Sequence, residues 1–289
     1  MTSIKLICLL ASHLNCIERS THFDELLDII NNQSCEEKNI YISLSHDFNI
    51  NIVNILKKIK TYGFNLLYSK EKLSQFQHYK NIMDNLTIDD EINTWILFSD
   101  DDDIWSIHRL MNFYYPLTTL EIPDICSYIK IVPHAKLSNN KIIDITEDNY
   151  VNYCVRFKYL KLFFYNVNDD ILMHRYCDVF FVSFMCGYGA RILNHVILQV
   201  DYPVYIWREV DYDRNCSPNY DDIHLRILNI LDLFIARFHQ NNDSYDVNKF
   251  ISYIKYNAKT LSNDLSFVKN IFNKYSPNHC FRYKMPTYS

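Results

Sequence analysis

The sequence predicts an α/β protein with a mostly parallel central sheet flanked by helices, a small second sheet and a helical C-terminal region. Three observations predict it. Over the first hundred residues short apolar runs alternate with segments whose apolar residues recur at helical spacing, the pattern of right-handed βαβ units. The run Trp95–Phe98 is apolar at every position, as expected of a strand buried on both faces of a parallel sheet. Through Ser99 it meets four consecutive carboxylates, Asp100–Asp103, closed at once by Ile104 and Trp105. In open α/β sheets ligands bind beyond the carboxyl ends of the strands, where this acidic run stands.

In order, residues 4–10 predict a first strand, ending in Ser12, His13, Leu14 and Asn15. Thr21 is the expected cap of a helix to Ile30, with Phe23, Leu26, Leu27 and Ile30 on one face. Residues 39–44 form a second strand ending in Ser45, His46 and Asp47; residues 50–61 a helix that Gly63 ends; residues 64–68 a third strand. Residues 72–85 predict a helix that puts Lys72, Gln75 and His78 on one face, either towards a ligand or as a solvated polar face. The polar residues Ser12, Asn15, Ser45, Asp47 and Ser69 then emerge at one sheet edge beside Asp100–Asp103. A helix reaches to about Tyr115, before Pro116, and 125–132 and 142–145 read as strands of a smaller sheet. Asp148 caps an amphipathic segment to Phe164, and the stretch 174–185 reads as a further helix. A late strand starts near Pro203. From Asp221 the pattern is helical to the end, for packing on the core, on a second copy in a homo-oligomer, or both.

A chain of 289 residues forms one large domain or two small ones with ample apolar content. The net charge of -5 gives no basic field for nucleic acid. Nine cysteines without CxxC spacing suit buried thiols of a reducing compartment, so the expected location is cytoplasmic. No run reaches the length of a transmembrane segment, and Ile4–Ala11 reads as a strand, with a signal peptide the lesser alternative. Three glycines in the whole chain exclude a Gly-rich phosphate loop. Adjacent carboxylates repel, and oxygen-only ligands at a strand end suit Mg²⁺ or Mn²⁺ bridging a phosphate; the alternative is a solvated acidic loop.

The run Phe98, Ser99, Asp100–Asp103, Ile104, Trp105 resembles the signature strand of family-2 glycosyltransferases, whose usual form is Asp-x-Asp-Asp followed by an apolar residue and Trp. The resemblance covers roughly residues 4–215. It implies a GT-A-like domain over 1–220, with a nucleotide-sugar half at 1–116 and an acceptor half at 117–220, followed by the helical extension 221–289. It also implies that Asp102 holds the metal and that Asp100 approaches the metal or the ribose, with Asp101 the variable position and Asp103 organising the loop. The first strand ends in Ser12-His13-Leu14-Asn15 where the family has Pro-Thr-Tyr-Asn, keeping only Asn15. The second strand's Asp47 is a candidate for the uracil or guanine edge.

In the stretch 177–181, Asp178 resembles the family's general base at the opening of a helix, with Cys177 where Glu is usual. A lone carboxylate among apolar neighbours is expected to have a raised pKa, which suits a base; the alternatives are a helix cap or a surface Asp, with Asp169 and Asp170 nearby. Arg208 or Arg214 is a candidate to neutralise a leaving diphosphate, and Asp211 or Asp213 replaces the family's usual His as a metal contact; a surface hairpin with paired charges fits equally. The function implied is transfer of a sugar from a UDP- or GDP-sugar to a hydroxyl acceptor, with inversion. The rivals are a nucleotidyltransferase and a non-catalytic metal- or nucleotide-binding module.

Overall fold

Four β-strands built to the same plan carry the first hundred residues. β1 (Lys5–Leu14), β2 (Asn39–His46), β3 (Asn65–Tyr68) and β4 (Thr94–Ser99) run parallel, joined by helices α1 (Ile17–Asn31), α2 (Val53–Thr61) and α3 (Gln75–Asn85). Every residue of β4 and all but the first of β1 are buried, as strands covered by helices on both faces must be. The computed structural model describes residues 4–210, apart from 121, 123–125, 140, 146–148, 168, 174–176, 184 and 186–194, together with 280–284.

Beyond β4 the chain continues through β5 (Ile104–Trp105), α4 (Arg109–Thr119), β6 (Tyr128–Val132), β7 (His134–Ser138) and β8 (Lys141–Ile145). A 3₁₀ turn at Tyr150–Asn152 leads to β9 (Tyr153–Arg156), α5 (Phe157–Asn166), α6 (Asp169–Leu172), α7 (Cys177–Ser183), β10 (His195–Gln199), β11 (Tyr205–Arg208) and β12 (Cys280–Lys284). The central sheet has the order β12-β10-β6-β9-β4-β1-β2-β3, and a smaller sheet the order β5-β11-β7-β8. Only β9 runs antiparallel to its neighbours in the central sheet, as described. The predicted mixed architecture of a large parallel sheet, flanking helices and a small second sheet is the observed one.

Several local expectations change. Thr21 lies inside α1, not at its cap: the sulfur of Cys16 accepts from the Arg19 N–H, so the helix starts one turn earlier. α3 starts at Gln75 behind a capping box of Ser74 and Gln77, so Lys72 precedes the helix and shares no face with Gln75 and His78. β1 and β2 run past their apolar stretches because Ser12, His13 and Ser45 are buried polar residues with partners. β6 belongs to the central sheet, not to the small one. The segment after Asp148 is not one helix: Tyr153–Arg156 form a strand buried on both faces, a four-residue run that periodicity cannot assign. At the far end Cys280–Lys284 is a strand of the central sheet rather than helix, and 221–279 lies outside the described residues.

Candidate functional site

The four carboxylates form the crossing from one sheet to the other, between the end of β4 and the start of β5. Both ends of the crossing are tied down. The Trp105 indole N–H donates to Ser99 Oγ at 3.0 Å, and the Tyr79 hydroxyl donates to the Ser99 carbonyl at 2.8 Å. Tyr205, from β11, donates to Asp103 Oδ2, and the Asp100 N–H donates to the Tyr205 hydroxyl at 3.3 Å. Asp101 and Asp103 are 0% and 1% exposed and Asp102 is 9% exposed, which excludes a solvated acidic loop.

Buried carboxylates are costly unless paired or hydrogen-bonded, and each of these is treated differently. Asp101 accepts two bonds from Arg19 Nε (2.9 and 3.1 Å), one from Arg19 Nη2 (2.7 Å) and one from Ser12 Oγ (2.7 Å). The position read as variable is therefore a buried ion pair that joins α1 and β1 to the loop. Asp103 accepts from Tyr205 and from the Arg208 N–H at 2.7 Å, in keeping with its expected role in the loop. Burial and the charges of Asp102 and Asp100 push its pKa well above the carboxylate range. Asp100 Oδ1 accepts from Gln75 and from the Tyr150 hydroxyl, while Oδ2 takes no hydrogen bond among the described residues. Burial, then the charge of Asp102, raises Asp100 to about 7. Beneath the crossing Arg109 is fully buried between the rings of Trp105 and Tyr205, 4.2 and 4.3 Å from their centres. Its Nη2 donates to the carbonyls of Phe98 and Val151, fixing the loop's base and supplying positive charge.

The charges of Asp100 and Asp102 oppose the ionisation of their neighbours, which a hard cation would relieve, and the oxygen donors suit Mg²⁺ or Mn²⁺. Asp100 and Asp102 offer carboxylate oxygens of the kind such an ion takes. Among the described residues no three His, Cys, Asp or Glu side chains converge on one point. Mg²⁺ commonly takes the remainder from water and substrate phosphate.

The other predicted residues divide into two groups. Asn15, Asp47, Gln75 and Lys72 stand at the carboxyl edge of the sheet: Gln75 on Asp100, Asp47 with its N–H on the Leu14 carbonyl at 2.9 Å, and Lys72 exposed, its charge helping to depress His13. Ser12 and His78, in contrast, are 1% exposed and lie below that edge. Ser12 is committed to Asp101, and His78 to Ser43 and Ser45, so neither faces a ligand directly. The Arg208 guanidinium bonds Glu25 of α1 at 3.2 and 3.3 Å, while its backbone N–H holds Asp103. Arg214, Asp211 and Asp213 lie outside the described residues.

Asp178 opens α7 and is part-buried. Three residues on, at the spacing that shares a helix face, Phe181 packs on Phe98 at 5.1 Å and on Phe76 at 5.8 Å. Phe98 is two residues before Asp100, so this packing ties α7 to the acidic crossing. An open cleft of about 550 Å³ lies elsewhere, between the end of β3, α3 and α6, lined by Tyr68, Lys70, Asn81 and Asp169 among others. It includes none of the acidic crossing.

Sequence reasoning missed Arg19, Tyr150, Tyr205 and Arg109. Arg19 had a usable signal: the first turn of a helix that follows a parallel strand lies at the strand's carboxyl end, where four carboxylates need a cation. Tyr150 and Tyr205 come from distant segments and had none.

No family model matches the chain, and no curated protein matches its sequence. Solved structures do match. S. aureus TarS residues 1–349, in complex with UDP-GlcNAc, is 12% identical over 94% of this chain and 80% of that one, with a TM-score of 0.61. A longer S. aureus TarS structure is 12% identical over 88% of this chain, with a TM-score of 0.58; the match spans only 43% of that protein's length. GalNAc-T7 with UDP, GalNAc and Mn²⁺ is 7% identical over 94% of this chain and 55% of that one, with a TM-score of 0.52. What this chain shares with them is the fold, which is of the GT-A type: a mostly parallel sheet flanked by helices, with a second, smaller sheet.

Proposed function

We propose that the protein is a metal-dependent glycosyltransferase that moves a sugar from a UDP- or GDP-sugar to a hydroxyl of a glycan or other acceptor, with inversion. The observation that carries this reading is the crossing itself: Asp100 and Asp102 crowded at the carboxyl edge of the sheet, with Asp101 already neutralised by Arg19. Support comes from the UDP, UDP-GlcNAc and Mn²⁺ named with structures of the same fold.

Asp102 and Asp100 would hold the ion, and Gln75 and Tyr150 fix the Asp100 carboxylate through Oδ1. Bound there, Mg²⁺ or Mn²⁺ supplies positive charge for the diphosphate of the donor and of the departing product. Asp47 presents an acceptor oxygen to the base, and Lys72 stands exposed at the same edge. Asp178 takes the proton of the acceptor hydroxyl as that oxygen attacks the anomeric carbon and the bond to the diphosphate breaks. One base and no protein nucleophile give inversion.

The test is calorimetry of UDP and GDP with Mn²⁺, together with an assay for hydrolysis or transfer of their sugars. Asp102→Asn is expected to abolish metal-dependent diphosphate binding and leave thermal unfolding unchanged. Undiminished affinity in that variant removes Asp102 from the metal's shell. A wild-type chain that binds the diphosphates but neither hydrolyses nor transfers sugar is a binding module instead.

A further inference from the structure

The cleft of about 550 Å³ between β3, α3 and α6 takes no part in the proposed reaction. Its volume lies within the roughly 300–1,000 Å³ of ordinary ligand sites. One wall is a face of α3, where Gln77, Lys80, Asn81 and Asp84 stand at positions i, i+3, i+4 and i+7, about 10 Å of helix. A second wall is Tyr68, at the end of the edge strand β3, with the turn that follows it. The third is α6, through Asp169 and Leu172. The Ser74 hydroxyl donates to the Leu172 carbonyl at 2.6 Å, which fastens α6 to the start of α3.

Charge and polarity narrow what such a cleft can hold. Lys80 is paired with Asp84. Lys70, Glu71 and Asp169 are exposed and make no ion pair among the described residues, so one cation stands against two carboxylates. That balance disfavours a phosphate or any other anion. The apolar lining is small, Leu73 and Leu172, and an apolar ligand would strip water from polar groups without replacing it. A neutral molecule rich in hydroxyls suits the cleft, because a hydroxyl both donates to carboxylates and accepts from ammonium and amide N–H groups. The Gln77 side chain offers such an amide: its Oε1 accepts from the Ser74 N–H at 2.9 Å, which leaves Nε2 to donate.

Tyr68 adds a flat surface. It is 47% exposed, yet its ring is tethered. The His46 Nδ1–H donates to the Asp47 carbonyl at 2.7 Å, so in the neutral imidazole Nε2 accepts from the Tyr68 hydroxyl, at 2.9 Å. The two ring centres are 5.8 Å apart. A ring already held in place gives up little freedom when a ligand packs on it. Sugar rings carry a C–H face that packs on such a surface and hydroxyls at the rim that meet polar groups. We infer that the cleft is a binding site for a neutral oligosaccharide, with Tyr68 as its platform and Lys70, Glu71, Gln77 and Asp169 as partners of the hydroxyls. The site is separate from the acidic crossing and needs neither metal nor nucleotide.

The test is calorimetry of the full chain, in EDTA and without nucleotide, against cellohexaose, chitohexaose, mannohexaose and maltohexaose. The wild type should bind at least one of them saturably. Tyr68→Ala should weaken that binding about tenfold, the loss expected when an aromatic anchor is truncated. Tyr68→Trp, which keeps a flat ring, should restore most of it. Thermal unfolding should barely move in either variant, because the residue is half exposed at the end of an edge strand. Binding of none of the four overturns the inference, and so does binding that Tyr68→Ala leaves undiminished, which places the glycan elsewhere. An oligogalacturonate that binds more tightly than the neutral chains overturns the class of ligand. No donor or metal is present, so the outcome is independent of the proposed transfer. A chain that binds glycan through Tyr68 but no UDP or GDP keeps this site and loses the transferase reading.

Discussion

Asp178→Asn is expected to lower sugar transfer by about 10²–10⁴-fold, the usual contribution of a positioned general base, with donor affinity unchanged. The separation of the two readouts follows from when each group acts. On the proposed reading Asp100, Asp102 and Asp47 would meet the donor in its ground state, whereas the base would meet the acceptor's proton only as the new bond forms. A substitution that removes only a transition-state interaction lowers kcat and kcat/KM together. The geometry places Asp178 in the first turn of α7, and the packing of Phe181 on Phe98 keeps that turn near the acidic crossing. Asn preserves size and part of the hydrogen bonding, so thermal unfolding should not move. If the variant binds UDP- or GDP-sugar normally and transfers at close to the wild-type rate, the base lies elsewhere; Asp169 and Asp170 of α6, and Glu209, which pairs with Lys136, are the carboxylates to replace next.

Arg19→Ala is expected to be the most destabilising single change at the site. Arg19 and Asp101 have side chains 8% and 0% exposed, and truncating one partner of such a pair leaves a bare buried charge, at a cost of about 3–5 kcal/mol. Asp101→Asn should also destabilise, because it breaks the two-oxygen contact with the guanidinium and weakens the bond from Ser12. Replacing both members with apolar residues of similar size, Arg19→Met with Asp101→Leu, should recover much of the loss, since no charge is then stranded. Thermal or urea unfolding of the three variants decides it. A melting temperature for Arg19→Ala equal to that of the wild type shows that the pair contributes nothing to the fold. The contrast with Asp102→Asn is the useful one: neighbouring carboxylates, one expected to change stability and the other only metal-dependent binding.

The sequence by itself determined the fold class and the position of the acidic crossing. Apolar runs alternating with helical periodicity specify parallel strands joined by helices, because a strand covered on both faces must be apolar throughout. The abrupt change from Phe98 to Asp100–Asp103 marks where such a strand leaves the core, and the structure has the crossing there. The ends of the elements were less legible. Ser12, His13, Ser45 and His78 look like loop or surface residues in sequence, yet they are buried, Ser12 because it bonds Asp101 and the other three because they bond one another. Partners 30 to 90 residues apart are not encoded in any local pattern.

The tertiary structure alone decided how the four carboxylates divide their work. In sequence they are four equal acids in a row. In the fold Asp101 is held by Arg19 from α1, Asp103 by Tyr205 and the backbone of β11, and Asp100 by Gln75 of α3 and Tyr150 of the 3₁₀ turn. Each partner arrives from a different element, and a carboxylate's role depends on the charge and donors around it, which only the packing of those elements sets.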